Sequence, residues 1–139
     1  LAASLVDLGS GAGFPGLPIA VLRPESAVLL VEAREKRHHF QRAAVRELGL
    51  RNVEMLCGRA ERLETKPREL AIAQAVAKPA QALRWLTPWV RVGGWLALPA
   101  GESPPQIEPQ PDVIPVRVVE YRVPGGGPRR TLWLGRRVA

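Results

Sequence analysis

The feature that most constrains the fold is an apolar run that breaks into closely spaced glycines near the start of the chain. Residues 5–8 read Leu-Val-Asp-Leu, and four glycines follow within eight residues, at positions 9, 11, 13 and 16. An apolar run is typical of a buried strand, whereas glycine lets the backbone turn sharply and a ligand approach closely. Pro15 and Pro18 suit the first turn of a helix, where the missing N–H loses no bond. The stretch therefore predicts a strand, a glycine loop and a helix.

The rest of the chain alternates apolar runs with helical segments. The predicted strands lie at residues 27–31, 52–56, 70–76 and 95–98, and the predicted helices at residues 17–22, 35–48 and 80–92. A turn is predicted at Gly93 and Gly94. Runs that are apolar on both faces favour a parallel sheet covered by helices on both sides. We therefore expect an α/β fold with a doubly wound, mostly parallel sheet.

Two helical segments carry more specific predictions. Phe40, Ala44 and Leu48 recur at four-residue spacing among basic residues, which predicts an amphipathic helix with these three on its apolar face. The helical spacing of Trp85 and Trp89 favours core packing over base stacking.

The C-terminal third changes character. Residues 99–115 contain six prolines and predict a loop. Residues 113–123 and 130–138 are strand-like and are joined by Pro-Gly-Gly-Gly-Pro, which predicts a closing antiparallel hairpin.

Composition bounds the class of protein. At 139 residues, we expect a single domain over residues 1–139. Twenty Lys and Arg against 13 Asp and Glu give a net charge of +7, which favours polyanionic partners such as RNA.

The sequence has no run of 18 apolar residues and no zinc-like Cys/His spacing, and its single cysteine, Cys57, excludes an internal disulfide. We expect a cytoplasmic protein without a membrane span. Because the sequence opens on Leu1 almost directly at the first strand, we also expect that an N-terminal part of the full-length protein is absent.

Two acids and the glycine loop form one candidate ligand site. In a doubly wound sheet the ligand lies beyond the carboxyl ends of the strands, and an acid closing the second strand can bind a ribose hydroxyl. Glu32 has that position, and Asp7 is placed to help hold a cationic ligand. Gly11, Gly13 and Gly16 also spell the dinucleotide fingerprint G-x-G-x-x-G, so the loop alone leaves NAD and S-adenosylmethionine open. Asp7 and the closing hairpin favour S-adenosylmethionine.

Three motifs resemble a known family. Residues 7–18 read DLGSGAGFPGLP, Lys36-Arg37 follows the second predicted strand, and Arg59-Ala60-Glu61 follows the third. Over nearly its whole length the chain resembles the bacterial small-subunit ribosomal RNA guanine-N7 methyltransferases, also called glucose-inhibited division protein B. The resemblance implies a Rossmann-like class I methyltransferase fold with a seven-stranded, mostly parallel sheet. It implies S-adenosylmethionine as cofactor, N7 of one guanine as target and 16S ribosomal RNA or the 30S subunit as partner. We expect a monomer that needs no metal.

The resemblance also assigns roles to residues. The methionine part of the cofactor would lie on the glycine loop, at Gly9, Ser10, Gly11, Gly13 and Phe14. Glu32 with Ala33 would hold the ribose, and Ala60 with Glu61 would border the adenine. Gln74 is a further candidate cofactor contact. Arg59 and Arg130 match family arginines near substrate or cofactor, which makes them the candidate catalytic residues.

Two positions depart from the family pattern. The family usually has Ser-Arg-Ala after the fourth strand, where this chain has Ala73-Gln74-Ala75. It usually has Leu-Lys-Gly after the fifth, where this chain has Leu98-Pro99-Ala100-Gly101. Two cations expected at the mouth of the site are therefore missing, with Lys78 a candidate replacement for one. These departures keep open a second hypothesis, a cofactor-binding or RNA-binding module with impaired catalysis.

The chemistry of the implied reaction narrows the candidate residues. Guanine N7 is a lone-pair acceptor without a proton, so its attack on a methyl group needs no general base. Positioning and electrostatics must then carry catalysis. We accordingly expect His38 and His39 at the surface or facing RNA. An NAD-dependent oxidoreductase stays a third hypothesis that rests on G-x-G-x-x-G alone.

Overall fold

The structure is a computed structural model that describes residues 3–74 and 78–139. Strands and helices alternate along most of its length. The elements are β1 (Ser4–Leu8), α1 (Gly16–Leu22), β2 (Ala27–Glu32), α2 (Glu35–Glu47), β3 (Val53–Cys57), β4 (Arg68–Ala73), α3 (Pro79–Leu86), a 3₁₀ turn (Thr87–Trp89), β5 (Val90–Ala100), β6 (Val113–Arg122) and β7 (Arg129–Arg137). The predicted α/β class is confirmed.

One seven-stranded sheet has the order β3-β2-β1-β4-β5-β7-β6. Strands β1 to β5 pair in parallel, and β7 is antiparallel to both β5 and β6, as the predicted hairpin required. From β1 the chain moves outward to β2 and β3 and then returns to the other side of β1 with β4. The order of the strands therefore reverses between β1 and β4, where ligands bind in sheets of this kind.

Helices cover both faces of the sheet because alternate residues of each buried strand point to opposite sides. On one face, residues of β1 and β2 pack against α1: Leu5, Val28, Leu30, Leu17 and Ala20. On the other face, the intervening residues pack against α3: Val6, Leu29, Val31, Leu83 and Leu86. Two apolar layers thus flank the sheet.

The prediction of a third helix over residues 80–92 was wrong in its second half. Helix α3 ends at Leu86, and β5 already begins at Val90 and contains the glycines that were predicted to form a turn. Pro88 cannot donate a helical backbone bond, which favours the 3₁₀ turn here. A Cβ on Gly94 would lie 2.8 Å from the Glu69 carbonyl oxygen, so glycine permits the close approach of two strands. Trp89 is fully buried, which confirms its core packing.

The predicted apolar face of α2 was also wrong. Phe40 and Leu48 are each 56% exposed. The buried residue of the helix is Gln41, and Ala44 and Val45 pack partly buried against the core. Strand β4 ends at Ala73, and the predicted continuation at residues 75–76 lies outside the described residues.

Candidate functional site

A cavity of about 450 Å³ opens where the carboxyl ends of β1, β2 and β4 meet. Its apolar floor consists of the last core residues of these strands, Leu8, Val31 and Ala73. Ala82 and Trp85 of α3 line it from one side. The cavity therefore occupies the reversal point of the sheet and has the size of a small-molecule site.

The glycine loop is tied to the end of β2 by backbone bonds. The amides of Gly9 and Ser10 both donate to the Val31 carbonyl oxygen, at 2.8 and 3.2 Å. Gly9, Gly11 and Gly13 have φ angles of 67°, 59° and 100°, which other residues rarely adopt. The turn therefore depends on glycine at these positions.

Glu32 links the loop to the next two segments. It is 4% exposed; its Oε2 accepts from the Gly11 amide at 3.0 Å and its Oε1 from the Arg34 amide at 3.3 Å. The Glu32 carbonyl oxygen accepts from the Gly58 amide at 3.0 Å. A carboxylate has about four acceptor positions, so Glu32 retains capacity toward the cavity that it lines.

The structure does not place Asp7 in the cavity wall. Asp7 is 1% exposed beneath the loop, because alternation along β1 directs it toward α1. Its Oδ2 accepts from the Gly16 amide at 2.9 Å. Burial raises the pKa of this carboxyl to about 8, the Gly16 bond opposes the rise, and the charge of Glu32 adds to it. Asp7 thus supports the first turn of α1 and lies outside the lining of this cavity, and its contact with a cofactor stays a prediction.

A side chain that sequence reasoning missed secures the loop from α2. Gln41 is fully buried, and its Nε2 donates to the Ser10 hydroxyl and to the Gly11 carbonyl oxygen, both at 2.7 Å. The sequence did contain a signal for this burial. Gln41 lies three and four residues before Ala44 and Val45, and therefore on the side of α2 that packs against the core. A glutamine on that stripe indicates a buried polar group with partners.

Side chains form the opposite wall of the cavity. Arg59, Ala60 and Glu61 line it from the turn after β3, and Gln74 lines it from the end of β4. Arg59 is 63% exposed at its side chain and lies 3.7 Å from Glu61, between Nη1 and Oε1. The predicted residues of this wall are therefore brought together.

Three further lining residues were not predicted as ligand contacts. Arg34 and Arg37 line the cavity from the start of α2, and the half-buried Trp85 lines it from α3. With Arg59, the arginines place three cations at the cavity. Trp85 is consequently a wall residue, whereas sequence spacing favoured core packing.

The remaining predicted residues lie outside the cavity lining. Ser10 and Gly13 are buried in the loop, Gly11 is half-buried, and Phe14 is 63% exposed. Arg130 lies near the start of β7, beside the pair of Thr131 with Ala100. Because β7 is antiparallel to β5, the start of β7 lies at the same end of the sheet as the cavity, where the parallel strands end. Arg130 therefore lies at that end of the sheet but outside the cavity lining.

Two features are absent from the described residues, a metal-binding cluster and a membrane-spanning helix. Within residues 3–74 and 78–139, no group of three His, Cys, Asp or Glu side chains is arranged to hold a metal ion. In the same part of the chain, no helix is long and apolar enough to cross a membrane.

Two relatives of the chain share one name. Ribosomal RNA small subunit methyltransferase G of Mycobacterium leprae (strain TN) is 43% identical over 102 residues, covering 70% of this chain and 41% of that protein. The protein of the same name from Chromohalobacter salexigens is 36% identical over 130 residues, covering 92% of this chain and 62% of that one. The chain thus spans between about two fifths and three fifths of the length of these relatives.

A solved structure supports the fold. The crystal structure of a SAM-dependent methyltransferase from Aquifex aeolicus superposes with a TM-score of 0.73 at 19% identity, covering 98% of this chain and 82% of that one. The sequence model of the GidB family, described as rRNA small subunit methyltransferase G, matches residues 2–130. The chain therefore belongs to the GidB family.

Proposed function

We propose that this chain is a methyltransferase domain that uses S-adenosylmethionine to methylate N7 of a guanine in 16S ribosomal RNA. The observation that carries the proposal is the cavity at the strand-order reversal, bordered by the glycine loop, Glu32 and the turn at Arg59. Its partner is the small ribosomal subunit or its RNA, and the chain acts as a monomer in the cytoplasm without a metal ion.

The residues of the cavity fit the cofactor. Glu32 retains acceptor positions for ribose hydroxyls, and the Gly9 backbone lies open at the cavity. The apolar floor of Leu8, Val31 and Ala73 suits a flat, weakly polar base. When bound, S-adenosylmethionine would supply an activated methyl group on a sulfonium. Glu32 and Gly9 would hold it, and Ala60 and Glu61 would border its adenine.

The reaction asks the protein for position and charge. N7 attacks with a lone pair and has no proton to lose, so no side chain acts as a general base. Arg34, Arg37 and Arg59 line the cavity, and in this proposal they hold the RNA backbone near the methyl group. Arg130, at the same end of the sheet as the cavity, would contact the RNA beyond the cavity. These four arginines are positioning groups for the substrate.

Calorimetry tests the cofactor. Titration with S-adenosylmethionine should give a saturable heat that Glu32→Gln weakens, while NAD gives none. Tight binding of NAD with no response to the methyl donor would refute the proposal and support the oxidoreductase.

Transfer to RNA needs its own assay. The protein is incubated with 30S subunits that lack the modification, and the digested 16S RNA is analysed by mass spectrometry for 7-methylguanine. We expect one new 7-methylguanine per subunit. If the cofactor binds but no new modified base appears, the result would support a second candidate function, a binding module with impaired catalysis.

That second candidate is a binding module with impaired catalysis. Two observations favour it: the exposed Gln74 at the cavity and Pro99 near the end of β5 stand where the resemblance implies cations. The double variant Gln74→Arg/Pro99→Lys should then transfer methyl groups at least about tenfold faster than the unchanged chain. A normal rate without the substitutions rules out this candidate.

A further inference from the structure

A second cavity lies away from the proposed cofactor site, along the outer side of α2. It has a volume of about 440 Å³ and lies between α2, the turn that follows it and β3. Its polar lining is His38, Arg42, Arg46 and Arg51, above an apolar base of Val45 and Met55. We call these six residues the α2 groove. Strand β3 is one edge of the sheet, so the groove lies on the margin of the molecule.

The charge of the α2 groove is not neutralised locally. Arg42, Arg46 and Arg51 are exposed and form no ion pair within residues 3–74 and 78–139. Glu47 and Glu54, the acids between His38 and Met55 in the sequence, do not line the groove. Glu54 is bound by Lys66 and Arg68, and it alternates with Met55 on β3, so its side chain points to the opposite face. The groove therefore presents a net positive field.

A half-buried histidine lies among these arginines. Nδ1 of His38 is buried and has no hydrogen-bond partner among the described residues. Burial lowers the pKa of His38, and the charges of Arg42 and His39 lower it further. An anion in the groove would supply a counter-charge for the arginines.

The groove continues from the proposed site on the same helix. Arg34 and Arg37 line the first cavity from the start of α2, and Arg42 and Arg46 line the groove one to three turns later. Arg34, His38, Arg42 and Arg46 recur at four-residue spacing, so they form one inclined row of side chains along the helix. A chain of phosphates leaving the first cavity at Arg34 can therefore follow this row to the groove.

We propose that the α2 groove binds the phosphodiester backbone of the substrate RNA next to the target nucleotide. The inference rests on the proposed function, since it takes the RNA to enter at the first cavity. Phosphate contacts hold the RNA in register without reading its sequence. Arg42, Arg46 and Arg51 provide the charge, and His38 lines the groove beside them.

Matched charge removals test the groove. Arg42→Gln/Arg46→Gln removes two charges from it, and Arg117→Gln/Arg122→Gln removes two exposed charges from β6, at the opposite edge of the sheet. Binding of a fluorescein-labelled 20-nucleotide single-stranded RNA is measured by anisotropy at several salt concentrations. The groove variant should bind about five to ten times more weakly, and its salt slope should fall by about 1.4. The β6 variant should change affinity less than about twofold.

Three outcomes would overturn the proposal. The first is that the unchanged protein binds no RNA, and the second is that both double variants lose affinity equally. The third is that the groove variant keeps the salt slope of the unchanged protein, which would assign the groove to another anionic partner. Arg51→Gln, in the turn after α2, repeats the test without altering the helix. Calorimetry with S-adenosylmethionine on the same proteins separates the two proposals, because cofactor binding should be unaffected by the groove substitutions.

Discussion

The two walls of the first cavity are built from different parts of the chain. The wall formed by the glycine loop is mostly backbone, with Glu32 bound to the Gly11 amide and Gln41 bound to Ser10. The opposite wall is mostly side chain: Arg59 is 63% exposed, and the Glu61 side chain that it pairs with is 33% exposed. Both walls face the same proposed ligand.

The difference has a physical consequence. A backbone wall depends on steric fit and on buried hydrogen bonds, so its substitutions cost folding free energy. An exposed side chain contributes little to stability, so its substitutions change ligand binding alone. Four substitutions test this contrast, and their expected effects on stability fall from Gly13→Ala to Arg59→Gln.

Gly13→Ala should have the largest effect. Gly13 has φ of 100°, and an added Cβ would lie 2.3 Å from Leu17 Cδ1. Backbone strain and overpacking together should lower the free energy of unfolding by about 2–4 kcal/mol in urea denaturation. Gly125→Ala is the control, because its φ is 83° but no atom lies within 4 Å. Equal losses in the two variants would contradict a steric requirement in the loop.

Asp7→Asn should change the pH dependence of stability. The pKa of Asp7 is about 8 in the folded chain, against 3.8 for an ordinary aspartate. Between these values the unfolded chain has lost the proton and the folded chain keeps it, so stability falls as pH rises. Asparagine does not titrate.

As the pH rises from 5 to 7, the free energy of unfolding of Asp7→Asn should therefore rise relative to that of the unchanged protein by on the order of 2 kcal/mol. Urea denaturation at each pH measures the difference. Glu102→Gln, at an exposed acid, controls for loss of a surface carboxylate. Parallel profiles for Asp7→Asn and the unchanged protein would show that Asp7 is ionised in the fold.

Gln41→Leu should weaken the loop with a moderate loss of stability. The substitution removes both bonds that Nε2 donates to the loop and leaves the Gly11 carbonyl oxygen without this donor. We expect a loss of about 1–2 kcal/mol in unfolding free energy and about five- to tenfold weaker binding of S-adenosylmethionine in calorimetry. Gln81→Leu, at an exposed position of α3, should leave both unchanged. Undiminished cofactor binding in Gln41→Leu would limit the residue to a packing role.

Arg59→Gln should have the smallest effect on stability. Its side chain is mostly exposed, so the unfolding free energy should change by less than about 0.5 kcal/mol. Methyl transfer to 30S subunits should fall at least about tenfold in kcat/KM if the guanidinium positions RNA. Arg62→Gln, three residues away and outside the cavity lining, is the matched control. Similar rates in the two variants would remove Arg59 from the substrate site.

The sequence by itself determined the order of strands and helices around the glycine loop, the parallel sheet with its antiparallel hairpin, and the place of Glu32 at the end of β2. These features depend on local signals, since apolar runs, glycines and prolines act on their immediate neighbours in the chain. The motifs at residues 7–18 and 59–61 likewise identified the family before any contact was known.

Only the tertiary structure decided which side of each element meets which neighbour. Asp7 and Gln41 are both buried against the glycine loop or α1, and nothing in their local spacing names those partners. Trp85 lines the cavity and Trp89 is buried in the core, because α3 ends at Leu86 and the two tryptophans do not share one helical face. A buried polar residue becomes favourable through hydrogen bonds to distant segments, and those bonds exist only once the chain is folded.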